Sequence, residues 1–292
     1  MSDYTTSYAR KPELGGILAG FDGSVVAREA ALWAAAEAHD RGSPLVLARS
    51  YERPIWTDAD PLPDDARAWH CDHSLRVLAD ECRAHHPDLR ISGLIRDGHP
   101  GKALAGLATK LDADLVVIGS RGYGPIARLV LRSTAADLVH LVDRPVVVVR
   151  GAVGPGPVLL GLAGAETDRQ AIEFAFEFAA RHGNALHAVH GHHHARRPDA
   201  LTRCLAPWQE RYPGVEVETE VVRDRPSHAL LERSAGARLL VVGSHRHNAA
   251  HRVLLGSISH TTLYHAECPV AVVPAGRAVR RPAPTTVTSS AG

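Results

Sequence analysis

The stretch Leu115-Val-Val-Ile-Gly-Ser120 returns 124 residues later as Leu239-Leu-Val-Val-Gly-Ser244. Three other segments recur in the same order: Ile17–Ser24 as Val158–Ala165, Pro100–Leu104 as Pro226–Leu230, and Pro145–Val149 as Pro269–Val273. The spacing between the copies falls from 141 to 126 to 124 residues, so the second copy is shorter by about fifteen. We assign the loss to the stretch equivalent to Pro54–Asp65 and to part of the helix after it. Repeats in a fixed order indicate a duplicated fold.

Each copy alternates short apolar runs with amphipathic segments. Runs such as Val146-Val-Val-Val149 are apolar throughout, as in strands that are covered on both faces. This alternation predicts an α/β fold with two tandem, doubly wound parallel sheets of the Rossmann-like type. The predicted strands lie near 15–21, 44–50, 89–95, 114–119 and 145–149, then near 157–163, 185–191, 215–222, 238–243 and 269–273. The helices predicted in the first copy lie near 24–41, 64–85, 100–111 and 133–142.

These elements divide the chain into two domains with tails. We expect an N-terminal tail at 1–14, a first domain at 15–150, a linker at 151–156, a second and shorter domain at 157–274, and a disordered C-terminal tail at 275–292 that is rich in Pro, Ser and Thr. The last strands, Val146–Val149 and Val270–Val273, are apolar edges that need cover. We therefore expect them to pair within the chain as a pseudo-dimer, and the same edges are candidates for a homodimer.

Composition excludes several classes of protein. The 292 residues include 33 basic and 32 acidic side chains, so there is no excess of positive charge of the kind that binds nucleic acid. No apolar stretch is long enough to span a membrane, and the N-terminus lacks the apolar core of a secretion signal. The four cysteines are scattered and read as reduced thiols rather than as a zinc site. These features predict a cytoplasmic protein without nucleic-acid or membrane partners.

In open α/β sheets, ligands bind beyond the carboxyl ends of the strands, where the first and fourth strands meet. Here the first strand is followed by Gly20-Phe-Asp-Gly-Ser24, and the fourth by a glycine-rich loop with three arginines and two hydroxyl residues at a predicted helix start. Glycines let a ligand approach the backbone, and a helix N-terminus favours phosphate. The candidate residues are Gly20, Asp22, Gly119, Ser120, Arg121, Gly122, Gly124, Arg128, Arg132, Ser133 and Thr134.

Two of these residues have alternative roles. Asp22 either accepts hydrogen bonds from ribose hydroxyls or caps the next helix, and Ser133 either donates to a phosphate or caps its own helix. The chain contains neither a Walker A motif nor a dinucleotide-binding Gly-x-Gly-x-x-Gly after its first strand.

At these residues the chain resembles the universal stress protein family in its tandem bacterial form. The resemblance rests on Asp22-Gly-Ser24, Asp114-Leu-Val-Val-Ile-Gly-Ser-Arg-Gly122 and Pro145-Val-Val-Val-Val149, and it covers about 15–150 and 156–274. It implies an adenine nucleotide alpha hydrolase-like fold that binds ATP, with Mg²⁺ as a possible companion. It further implies that Asp22 contacts the ribose and that main-chain groups near Arg49 read the adenine. By the same resemblance, Gly119 and Gly122 pass beneath the sugar and phosphates, and Ser133 and Thr134 hold the terminal phosphates.

Both copies depart from the family pattern. In the first, Arg132 replaces a glycine and either blocks or grips a phosphate. In the second, Arg246 replaces another glycine and Ala163 stands where the first copy has Asp22. ATP binding is therefore expected mainly in the first copy. The candidate residues of the degenerate second site are Gly161, Gly243, Gly256 and Ser257.

No motif for an enzyme is evident: the chain has no Gly-x-Ser-x-Gly elbow and no His-Glu-x-x-His. The resemblance thus predicts a regulatory ATP-binding protein of the stress response that acts on an unidentified protein partner. The alternatives are a nucleotide-free interaction module and a slow ATPase or autokinase. Histidines cluster at 190–194 and 245–251 and either bind a divalent metal or line solvated loops; we expect no metal site.

Overall fold

The structure is a computed structural model that describes residues 4–5, 12–51, 64–120, 127–151, 153–162, 168–192, 199–223, 226–246, 253–254 and 256–275. The helices are α1 Val25–Arg41, α2 Asp64–His85, α3 Pro100–Lys110, α4 Ala127–Leu141, α5 Arg169–His182, α6 Asp199–Arg211, α7 Pro226–Ser234 and α8 Ser257–His265. The strands are β1 Tyr4–Thr5, β2 Ile17–Gly20, β3 Leu45–Tyr51, β4 Ile91–Asp97, β5 Leu115–Gly119, β6 Val146–Val149, β7 Val158–Leu162, β8 Leu186–His192, β9 Val217–Arg223, β10 Leu239–Arg246, β11 Val253–Leu254 and β12 Val270–Pro274.

The described strands form one sheet in the order β1-β4-β3-β2-β5-β6-β12-β10-β7-β8-β9, with β11 paired to β10. In the first half (15–150), the five parallel strands run in the order third, second, first, fourth, fifth; the second half (157–274) repeats that order. This confirms two tandem, doubly wound domains. The strand order reverses between β2 and β5 in the first half and between β7 and β10 in the second.

The two halves join through their last strands. β6 and β12 pair antiparallel with Val147 opposite Ala271, which confirms the predicted pseudo-dimer. Because Val147 and Ala271 are equivalent positions of the repeat, a pseudo-two-fold axis passes between them. The other edges of these strands pair with β5 and β10, so neither strand has an edge left for a second chain. The prediction of a homodimer through the last-strand edges is therefore wrong.

A buried cluster of charges lies where α1 and α5 meet. The carboxylate of Glu37 is 2.8 Å from Arg181 Nη1 and 2.8 Å from His182 Nε2, and Arg41 contacts it from the next turn of α1. Burial raises the pKa of Glu37, but the two guanidinium groups and the hydrogen bond with His182 outweigh burial and lower it to about 2. Glu37 and Arg181 each stand twelve residues after the first residue of their helix, so they are equivalent positions with opposite charges. The ion pair therefore requires that the two halves carry different residues at this helix position.

Within the expected linker, 151–156, the described residues 153–156 pack closely on the second half. The N–H of Gly156 donates to the carbonyl of Gly236 over 3.0 Å, and Asn184 Nδ2 donates to the carbonyl of Gly156 over the same distance. A Cβ added to Gly154 would lie only 1.9 Å from the Gly236 oxygen. The glycines thus allow two backbones to touch.

Other differences from the sequence-based expectations are local. Tyr4 and Thr5, in the predicted N-terminal tail, form β1 and pair antiparallel with β4. The second half is shorter because α6 has 13 residues where α2 has 22, and six residues instead of twelve precede it. All four cysteines are free thiols, as predicted. Residues 276–292 of the predicted C-terminal tail lie outside the described residues. In the described part of the chain, no helix combines the length and apolarity needed to cross a bilayer.

Candidate functional site

Asp22 lies in the turn between β2 and α1, at the edge of the first switch point. Its side chain is exposed, and Oδ1 accepts a hydrogen bond of 2.9 Å from the N–H of Ser24. The cap of α1 is Ser24 itself, whose Oγ accepts a hydrogen bond of 3.1 Å from the N–H of Ala27. Ser24 therefore caps α1, and helix capping, one of the two roles proposed for Asp22, does not belong to Asp22. The carboxylate of Asp22 remains at the surface beside the carboxyl end of β2.

Gly20 and Gly161 occupy equivalent packing positions at the ends of β2 and β7. A Cβ at Gly20 would lie 2.8 Å from Leu104 of α3, and one at Gly161 would lie 2.7 Å from Leu230 of α7. Close approach of the third helix of each half therefore accounts for both glycines without a ligand.

Gly119 brings the two loops of the switch point together. A Cβ there would lie 2.9 Å from main-chain atoms of Val26 and Ala27, so its absence lets the first turn of α1 rest against the end of β5. The next residue, Ser120, is half-buried and its N–H donates to the carbonyl of Val149 over 2.9 Å. The turn of Asp22 and the loop after β5 therefore start from neighbouring points.

The loop after β5 continues into α4 earlier than predicted. Arg121, Gly122 and Gly124 lie outside the described residues. Arg128, Arg132 and Ser133 belong to α4, but their side chains are not described.

Because α4 begins at Ala127, Ser133 and Thr134 lie six and seven residues inside the helix. The prediction that a helix starts at these hydroxyl residues is wrong. The sequence Ala127-Arg-Leu-Val-Leu-Arg132 contains good helix formers and no breaker, so the helix extends back through it.

The second switch point is built differently. Gly256 is the N-cap of α8 and Ser257 its first residue, so a helix does begin at this pair. Near β10, the side chain of Asp168 is only 1% exposed, and a Cβ at Gly243 would lie 2.7 Å from Asp168 Oδ1. This buried carboxylate at the start of α5 was not among the predicted site residues. The repeat in the sequence matches Ser24 with Ala165, three residues before the N-cap of α5. For this reason it did not reveal that Asp168 and Ser24 are equivalent as N-cap residues.

Arg49 was expected to matter through its main chain, but its side chain also reaches the switch point. It leaves β3 two residues before the strand ends, and the guanidinium carbon lies 5.8 Å from the centre of the Phe21 ring. The residue in the same register of β8 is His190, whose Nδ1 is 3.0 Å from the carbonyl oxygen of Leu162. In both halves, a side chain from the second strand therefore contacts the exit of the first.

A cleft of about 820 Å³ opens between the halves beside Ser120. Its charged lining includes Glu29 and Glu267 as well as Arg150 and His265. Since carboxylates and cations are mixed there, the cleft does not favour phosphate. The glycine-rich loop remains the better candidate for an anion.

Comparison with known proteins identifies the family. A sequence model described as the universal stress protein family matches residues 15–150 and 195–274. The chain belongs to the universal stress protein family. A universal stress protein of Mycobacterium tuberculosis strain H37Rv is 33% identical over 285 residues, covering 88% of this chain and 96% of the relative. Another from that strain is 32% identical over 289 residues, covering 88% and 95%. The crystal structure of a universal stress protein from Archaeoglobus fulgidus DSM 4304 has the same fold, with TM-score 0.65, 16% identity, and 89% and 96% coverage.

The family match also indicates where the halves differ. It leaves out residues 151–194, which contain β7, α5 and β8 of the second half. The unmatched range also contains Asp168, the N-cap of α5, and His190 of β8. The divergence from the universal stress protein pattern therefore coincides with the altered second switch point.

Proposed function

We propose that this universal stress protein is a regulatory protein that binds one ATP at the switch point of its first half. The observation that carries the proposal is Asp22, an exposed carboxylate fixed beside β2 and relieved of helix capping by Ser24. A carboxylate held in this way suits two adjacent ribose hydroxyls as donors. The family resemblance gives the same role to this position.

The phosphate end of the site lies at the start of α4. This helix begins at Ala127, directly after the glycine-rich loop, and Arg128 belongs to its first turn. The N–H groups at a helix start and the nearby loop glycines attract phosphate oxygens. We therefore move the expected phosphate contacts from Ser133 and Thr134 to the region of Ala127 and Arg128. Mg²⁺ would arrive with the phosphates, as hard cations commonly do.

A single site per chain is favoured over two. In the second half, Ala163 stands at the position of Asp22 in the repeat, and the carboxylate that the described residues place against Gly243 is buried Asp168. Among the described residues of this half, the start of α8 at Ser257 is a feature that suits an anion.

Regulation is favoured over catalysis because the sequence contains no recognised hydrolase motif. Nucleotide binding between the turn of Asp22 and the start of α4 would alter the surface offered to a partner protein. Release of ADP from bound ATP would instead support the slow ATPase.

Isothermal titration with ATP tests the proposal. We expect wild type to bind and Asp22→Ala to bind at least about tenfold more weakly, since hydrogen bonds to a charged group are lost. Asp88→Ala removes another exposed aspartate, far along the chain from the switch point, and should bind like wild type. Absence of heat with the wild type would contradict the proposal and favour the nucleotide-free interaction module. Equal affinity of wild type and Asp22→Ala would remove Asp22 from the site.

A further inference from the structure

We infer that Arg49 is a positioning residue that fixes the turn carrying Asp22 and thereby determines how well the protein recognises ribose hydroxyls. The inference rests on the proposed function and adds a specificity role for a side chain that does not itself need to touch the nucleotide.

The guanidinium of Arg49 connects three elements. It lies over the ring of Phe21, and Nη1 donates a hydrogen bond to Ser74 Oγ of α2. Ser74 is itself fixed, because its hydroxyl donates to the carbonyl of Cys71 over 2.8 Å. A Cβ at Gly23 would lie 3.4 Å from Arg49 Nη2, so the guanidinium also lies against this glycine. Arg49 thus holds the residues on both sides of Asp22.

The N–H of Phe21 donates to the carbonyl of Ala48 over 2.8 Å, which joins the turn to β3 but does not itself hold Asp22 and Gly23. Asp22 is exposed, and Gly23 adopts a φ of +93°, which only glycine takes without strain. The hydrogen bond from Ser24 to Asp22 Oδ1 is local and moves with the turn. A planar guanidinium is suited to lie on an aromatic ring while its N–H groups donate sideways. Holding the carboxylate in place before binding lowers the cost of ordering it in the complex.

The second half provides an internal comparison. Gly20 pairs with Ala48 and Gly161 with Val189, so Arg49 and His190 are equivalent. His190 also contacts the exit of the first strand, through the carbonyl of Leu162, but Ala163 follows where Asp22 would stand. Two residues after the glycine of the first strand, the first half has the carboxylate of Asp22 and the second half has Ala163. His190→Ala is therefore the matched control for Arg49→Ala.

The test compares the affinities for ATP and for 2′,3′-dideoxy-ATP, which lacks both ribose hydroxyls. We expect wild type to prefer ATP roughly tenfold to a hundredfold, as for hydrogen bonds to a carboxylate. Arg49→Ala should lose most of this preference, chiefly through weaker ATP binding, with little change for the dideoxy nucleotide. In an Asp22→Ala background, Arg49→Ala should cause no further loss, because the two residues act through one contact. Ser74→Ala, which keeps the charge of Arg49, should reduce the preference a few-fold.

Each outcome has a distinct meaning. An unchanged preference in Arg49→Ala and Ser74→Ala, or the same weakening for both nucleotides, would overturn the positioning role while leaving the proposed function intact. A loss of preference in His190→Ala would also overturn it. Failure of wild type to bind either nucleotide would overturn the proposed function, and the positioning role with it. Circular dichroism melts of each variant separate these effects from unfolding, and Ser74→Ala provides the test if Arg49→Ala does not fold.

Discussion

Replacing Glu37 by alanine should lower the free energy of unfolding by about 3–5 kcal/mol, the usual cost of removing one partner from a buried ion pair. Glu37 is 2% exposed, and its loss would leave Arg41 and Arg181 close together without the carboxylate between them. Urea unfolding at pH 7, followed by circular dichroism, measures the change. Glu81→Ala is the matched control, because Glu81 pairs with Arg28 across side chains that are 25% and 48% exposed. That pair should contribute less than about 1 kcal/mol.

The same cluster predicts how stability depends on pH. The pKa of Glu37 is lowered from its ordinary 4.5 to about 2, so its contribution is complete above 4.5 and is lost as the pH falls through 2. This linkage is worth about 3 kcal/mol in the wild type. Glu37→Gln should be less stable at neutral pH and lose less on acidification. Equal losses for Glu37→Ala and Glu81→Ala at pH 7 would contradict the assigned role of the cluster.

Replacing Gly154 by alanine should destabilise the protein by about 2–3 kcal/mol, as overpacking against backbone does. The added Cβ would lie 1.9 Å from the carbonyl oxygen of Gly236, so one of the two backbones must move. Thermal unfolding measured by calorimetry gives the effect.

The control for this substitution is Gly214→Ala, where a Cβ meets nothing within 4 Å. We expect a change within about 0.5 kcal/mol there. If Gly154→Ala were as mild as Gly214→Ala, the close packing of Gly154 on Gly236 would be contradicted.

The ten strands of the two doubly wound halves were predictable from the sequence because burial on both faces leaves apolar runs. The pairing of the two halves was also predictable, because two apolar edge strands in one chain need cover and provide it for each other. These strands are Val146–Val149 and its repeat at Val270–Val273. The glycines were harder to interpret. The same residue type at Gly20 and Gly119 permits close packing of a helix, and at the loop after β5 it would permit close approach of a ligand.

Features that depend on distant contacts were not predictable. Glu37 shows only one local partner, Arg41, and its contacts with Arg181 and His182 join positions 144 and 145 residues apart. The early start of α4 was concealed by the glycines and Pro125 just before it. The reach of Arg49 to Phe21 and Ser74 depends on how β3, the turn after β2 and α2 meet, which no local pattern encodes.

Under the proposed function, the two similar halves carry one nucleotide site, and the number of ATP molecules bound per chain is the quantity that decides this. Equilibrium dialysis of the full chain against radiolabelled ATP at saturation measures this number. We expect one ATP per chain in the wild type and loss of that site in Asp22→Ala. Two ATP molecules per chain, none, or one that persists undiminished in Asp22→Ala would contradict it.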